Sequence, residues 1–228
     1  MSTNFKGVAM RFTLVNKARN LGFTMIELLI VIAILGILAV VVLSAINPLE
    51  QINRGRDTAK RSDAEQLLSA FERYNAFNGF FPWMEDQDDL SPGITPPIVV
   101  DNTWTVTGPP ACTILERLSS PVLADCIGTQ ELKDSFVNRI VGYSGGPRAL
   151  YVYYGGTTGD NVYVCFSPQS EAFKNEGNVR CTSTEGLPDD LLPADASNEI
   201  CPPAGGTNLA GETPSAATDP GIPMICLP

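Results

Sequence analysis

The run from Phe23 to Ile46, FTMIELLIVIAILGILAVVVLSAI, limits what this chain can become more than any other part of it. It carries a single ionisable side chain, Glu27. As a helix rising about 1.5 Å per residue it would reach about 36 Å. That is enough to cross a hydrocarbon layer of about 30 Å with room for tilt. A cleaved export signal has an apolar core of about 7–15 residues and a small-residue cleavage site. Here the core is longer, holds an acid, and ends on Leu43-Ser44-Ala45. A retained membrane-spanning helix is therefore expected.

An acid inside such a segment has to be accounted for. A lone carboxylate at mid-bilayer costs about 2.5–3.5 kcal/mol on insertion scales. Glu27 is near the end of the run, so snorkelling toward the headgroups lowers that figure. No Lys or Arg lies between Arg19 and Arg54, so no cationic neighbour on the same helix can pair with it. A counter-charge is expected either from another molecule or from a new α-amino group made by cutting the chain before Phe23.

Composition narrows the chemistry. The chain contains no histidine, which removes the commonest general base and neutral metal ligand. No Walker loop, G-x-S-x-G or metal-ligand set is present. No catalytic residue, metal or cofactor is expected, although carboxylate-based hydrolysis in an anchored enzyme or binding protein stays open as a remote alternative. Residues 1–22 hold Lys6, Arg11, Lys17 and Arg19 and no acid. From Asn78 onward there are 6 basic and 19 acidic residues, a balance that opposes direct nucleic-acid binding and favours solubility.

Six cysteines, Cys112, Cys126, Cys165, Cys181, Cys201 and Cys226, all follow the apolar run, and none forms a C-x-x-C pair. Three disulfides in an oxidising compartment are expected rather than a zinc site. The simplest pairing joins sequence neighbours: 112 to 126, 165 to 181 and 201 to 226. Lys and Arg flank the apolar run equally, with Arg54, Arg56, Lys60 and Arg61 on its far side, so charge alone does not orient it. The disulfides do: the C-terminal part belongs outside the cytosol and the basic leader inside.

The stretch GFTMIELLIVIAILGILAVV resembles the N-terminal segment of type IV pilins and of type II secretion pseudopilins. The resemblance rests on a basic leader ending in Gly22, then Phe23, Glu27 as the fifth residue after the junction, and an unbroken apolar run. It implies cleavage between Gly22 and Phe23 by a prepilin peptidase, with N-methylation of Phe23. It also implies that Glu27 meets the Phe23 amine of a neighbouring subunit in a filament. Such a pair is offset by desolvation and acts mainly on register. Implied partners are other copies of the chain or related pilins, the peptidase, an assembly ATPase and an inner-membrane platform protein. The implied route runs from a single-pass cytoplasmic-membrane precursor to a cell-surface or extracellular filament.

Beyond Asn47-Pro48, apolar residues Ala64, Leu67, Leu68, Phe71 and Tyr74 recur at helical spacing. Glu50–Arg54 and Asp57–Arg61 are placed for i,i+4 pairing, either on a solvated face or between subunits. Asn78-Gly79 is a stop signal, so one helix is expected from about Thr24 to Phe77. Gly36 and Pro48 are its weak points, and the resemblance implies that the stretch between them can lose helicity in a filament.

FFPWMEDQDDLSPGITPP reads as a Pro-rich connector whose acids, Glu85, Asp86, Asp88 and Asp89, form a solvated loop or, less naturally, a calcium site. TILERLSSPVLAD and TQELKDSFVN read as short helices, and ALYVYYGGTTGDNVYVCFS as a hairpin. The tail from Thr182 is rich in Pro and Gly and reads as irregular, tied by disulfides or partly disordered.

The expected fold is α+β and pilin-like, with a long N-terminal helix packed on a small antiparallel sheet and an irregular disulfide-tied C-terminal region. Its divisions are 1–22 leader, 23–46 membrane and filament-core helix, 47–78 amphipathic helix, 79–181 globular head and 182–228 irregular region. The expected function is a structural filament subunit for adhesion, motility or DNA uptake, with a secretion pseudopilin as the alternative.

Overall fold

The structure is a computed structural model that describes residues 22–86, 93–105, 112–119, 128–143, 145–156, 160–182, 200–208, 210–211 and 221–228. Residues 1–21 of the basic leader, Cys126, Asp88 and Asp89 lie outside the described residues. The chain divides into two compact units, Met1–Asn47 and Pro48–Pro228.

The first unit contains α1, Met25–Ala45, in which none of the 21 residues is buried. The expected single helix from Thr24 to Phe77 is corrected here. α1 stops at Ala45, and Ile46 is extended at φ −103° and ψ 130°. Pro48 then opens α2, Pro48–Asn78. The reason is local: the proline ring disfavours helical geometry in the residue before it, yet proline suits a first helical turn, where its missing N–H has no partner to lose. Gly36 does not break α1, which runs unbroken through it. One glycine costs about 1 kcal/mol relative to alanine, too little to stop a long run of helix-compatible residues.

In the second unit the apolar stripe of α2 is buried as expected, with Ala64, Leu67, Ala70 and Phe71 fully enclosed and Leu68 and Tyr74 nearly so. The helix ends where Gly79 turns left-handed at φ 81° and donates its N–H to the Asn75 carbonyl.

The stripe packs on a four-stranded antiparallel sheet of β1, Ile94–Val99, β2, Leu150–Tyr154, β3, Val162–Phe166, and β4, Ile225–Leu227, adjacent in that order. The expected hairpin is β2–β3. On β2, Leu150, Val152 and Tyr154 join the core beneath α2, while Tyr151 and Tyr153 join a second cluster with Ile200 and Met224. Both faces are covered, which explains why β2 and β3 read as apolar throughout rather than alternating.

Two strands lie where no strand is expected from the sequence. β1 overlaps the end of the Pro-rich connector as an edge strand with an irregular register between Ile94 and Ile98, and edges are where proline is tolerated. β4 lies in the tail, recruited by pairing with β3. The helical pieces are α3, Ile114–Leu118, and α4, Asp134–Val141; a further helix, α5, spans Glu171–Thr182. On α5, Gly177 passes so close to Pro223 that a Cβ would lie 2.7 Å from the ring.

The neighbour-to-neighbour disulfide scheme is also corrected. Cys165 bonds Cys226 and Cys181 bonds Cys201. Cys165 and Cys226 are register partners across β3 and β4, with Cα atoms 4.0 Å apart. Strand pairing, not sequence distance, brings these thiols together. Cys112 is disulfide-bonded as well, and its expected partner lies outside the described residues.

Candidate functional site

Gly22 and Phe23 precede α1 in non-helical backbone, and Phe23 is 86% exposed. A Cβ on Gly22 would meet nothing within 4 Å, and its φ is not left-handed. Among the described residues, neither space nor backbone demands glycine at position 22. Thr24 is the N-cap of α1, with its hydroxyl accepting the Glu27 N–H at 3.2 Å. Glu27 Oε2 in turn accepts the Thr24 N–H at 2.9 Å and the Thr24 hydroxyl at 2.7 Å.

This reciprocal capping box gives Glu27 hydrogen-bond donors within its own chain, beside the counter-charge expected from another molecule or from a new α-amino group at Phe23. Among the described residues no cation pairs with Glu27, and its carboxylate is satisfied by N–H and O–H donors instead. The free N–H groups of the helix start favour negative charge there too. The signal was present in the sequence as Thr24-x-x-Glu27 ahead of an apolar run.

Behind this capped start, α1 is long and apolar enough to cross a membrane. It exposes large side chains on every side, among them Leu28, Ile32, Leu35 and Leu43. No stripe is favoured, so the helix is suited to lipid or to enclosure by several apolar neighbours rather than to one packed face.

In the second unit, charges of α2 point inward. Asp57 is fully buried and accepts N–H groups of Gln169, at 2.9 Å and 3.0 Å, and Ser170, at 2.7 Å. Lys60, 5% exposed, donates to Asp57 at 3.0 Å and to the Ser167 carbonyl at 2.6 Å. The expected Asp57–Arg61 pair is therefore not formed: the backbone N–H groups just before α5 take Asp57, and Arg61 pairs with Glu176 on α5 at 2.8 Å. The expected Glu50–Arg54 pair is present at 3.0 Å. Glu50 also accepts the Glu171 N–H at 3.1 Å, and this bond, with Arg54, holds its carboxyl below the usual range. Asp63 shifts the other way, because burial outweighs the Arg139 guanidinium 2.6 Å away.

Among the described residues no group of three or more His, Cys, Asp or Glu side chains could hold a metal. The acidic connector falls partly outside those residues, with Glu85 and Asp86 exposed inside them.

Residues 17–43 match the family model described as the prokaryotic N-terminal methylation motif. That motif is the prepilin-type cleavage signal of type IV pilins and pseudopilins, and it is this N-terminal segment alone that the match covers. The match covers the leader end, the Gly22–Phe23 junction, Glu27 and most of α1. No curated protein and no solved structure matches the chain.

Proposed function

We propose that the chain is a pilin, a structural subunit that polymerises into a type IV pilus-like filament after cleavage between Gly22 and Phe23 and methylation of Phe23. It is not an enzyme. The observation that carries this reading is α1: an apolar helix with no buried residue, capped through Glu27, at the methylation motif. A helix that tolerates lipid on all sides is equally suited to burial among identical helices. The side-chain-free Gly22, around which the described residues leave open space, suits a peptidase subsite.

Before assembly the precursor sits in the cytoplasmic membrane with its disulfide-tied head outside, and the Thr24 clasp keeps Glu27 satisfied. In the filament the Glu27 carboxylate turns to the Phe23 amine of an adjoining subunit, which selects register. An assembly ATPase and a platform protein supply the work of extraction. Helicity between Gly36 and Pro48 is lost on assembly, which hydrogen exchange on filaments would detect as fast-exchanging amides.

Coexpression with a prepilin peptidase and assembly machinery tests the reading. Mass spectrometry is expected to find a mature chain that starts at methylated Phe23. Glu27→Val is expected to be processed normally but to yield no filaments. An intact Met1 in the native product, or wild-type filament yield from Glu27→Val, overturns it. A secretion pseudopilin shares the same N-terminal segment; the disulfide-tied head supports the pilin reading. Electron microscopy of surface filaments in a strain lacking the gene separates the two.

A further inference from the structure

Around the first turns of α2 most cations are spoken for. Arg54 pairs with Glu50, Lys60 with Asp57, Arg61 with Glu176, and farther along Arg139 reaches back to Asp63. Arg56 and Arg148 have no carboxylate partner among the described residues. Both are exposed, and both line one pocket of about 160 Å³ with Ala59, Lys60, Asp63 and Tyr143. The Arg148 guanidinium lies 5.6 Å from the centre of the Tyr143 ring, which props the loop cation over the pocket. The single acid in the lining, Asp63, is already bonded to Arg139. A net-positive recess of this size takes a carboxylate, since a planar guanidinium fork matches two carboxylate oxygens.

The molecule around it has the opposite sign: net charge is −10, with 19 acidic against 6 basic residues from Asn78 onward. Copies packed side by side repel unless the few uncompensated cations face acids of a neighbour. We propose that the Arg56–Arg148 pocket is an interface site that receives a carboxylate side chain from a second copy of this chain. The site rests on the filament reading above and adds to it a head-to-head contact separate from the Phe23–Glu27 segment.

The test uses the full chain coexpressed with peptidase and assembly machinery. Arg56→Glu combined with Arg148→Glu is expected to lower filament yield about tenfold or more, because a like-charge contact costs several kcal/mol and 1.4 kcal/mol is tenfold. Processing at Phe23 and the thermal melt of the detergent-solubilised subunit are expected to stay as in the wild type.

A second variant, Arg56→Lys with Arg148→Lys, keeps the charge and accepts zero-length carbodiimide coupling to acids. In filaments mixed from isotopically light and heavy subunits, the introduced lysines are expected to couple to an Asp or Glu of the other isotope. Wild-type filament yield from the charge reversal, or coupling only within one subunit, overturns the proposal. So does a reversal that leaves filaments intact but releases the subunit from vesicles containing phosphatidylglycerol, which would make the pocket a lipid-phosphate site. If the wild type itself forms no filaments, the failure belongs to the pilin reading and not to the pocket.

Discussion

Glu27 in α1 and Asp57 in α2 are both carboxylates held by hydrogen-bond donors of their own chain, and the chain satisfies them at opposite ranges. Glu27 is held by Thr24, three residues back, through donors that any rotation of the Glu27 side chain releases. Asp57 is held by Gln169 and Ser170, separated from it by 112 and 113 residues, and by Lys60, with none of it exposed. A local clasp can be exchanged for another partner without unfolding anything. A buried long-range clasp cannot, because opening it separates α2 from the start of α5 and strands Lys60. The first arrangement suits the exchange of partners proposed for Glu27; the second suits a domain that stays folded.

The largest effect is expected where that contrast is sharpest. Asp57→Ala leaves a buried ammonium and two backbone N–H groups without an acceptor. Breaking a buried pair from one side costs about 3–5 kcal/mol. Denaturant titration of the detergent-solubilised full chain should show that loss. Asp57→Ala with wild-type stability would mean that Asp57 and Glu27 are interchangeable in kind, and the comparison would fail.

The disulfides extend the same ranking by distance. Cys165–Cys226 spans 61 residues and Cys181–Cys201 spans 20. Loop-closure entropy gives about 4 kcal/mol for the first and about 3 kcal/mol for the second. Removing Cys165 and Cys226 together as alanines is therefore expected to lower stability by about 1 kcal/mol more than removing Cys181 and Cys201 together. Equal losses would show that register-paired strands hold the tail in place without the bond.

Thr24→Val probes the local clasp. It removes the hydroxyl that caps α1 while leaving the Thr24-position N–H to Glu27. Losing such a cap costs about 1 kcal/mol. Exchange of the amides at positions 25–28 is expected to speed up while the second unit's amides stay unchanged. Faster exchange in the head as well would show the clasp to be less local than its geometry.

How far the sequence reveals this division depends on the range of the interactions. Phe23–Ile46 announces itself by composition, and Ala64, Leu67, Leu68, Phe71 and Tyr74 by period, since both signals lie within a few turns. Thr24-x-x-Glu27 was equally local, and a search restricted to counter-charges passes over it. The Cys165–Cys226 bond is of another kind. It follows from β4 pairing with β3, and the three residues Ile225–Leu227 have no strand signal of their own among prolines and glycines. β1 is hidden in the same way by its Pro96-Pro97. Asp57 and Lys60 look like solvated helix charges until the β3–α5 connection arrives from more than a hundred residues away. What is local to a helix can be read in advance; what depends on a distant segment cannot.

The smallest expected effect separates two acids of α2 by the sign of their pH response. The Glu171 N–H and Arg54 hold Glu50 below its unfolded value of 4.5. Its contribution is thus present above pH 4.5 and is lost as pH falls through the folded value. Asp63 is raised above 3.8 by burial. Its contribution is present below 3.8 and is lost as pH rises through the folded value. Glu50→Gln should therefore flatten the acid side of the stability–pH curve below pH 4.5. Asp63→Asn should remove a decline that begins near pH 3.8 and runs upward. Urea midpoints from pH 2.5 to 7 would resolve the two slopes. Slopes of the same sign would mean that Asp63 is governed by Arg139 rather than by its burial, which would make it a screened surface pair like Glu50 and move the boundary between exchangeable and locked charges further along α2.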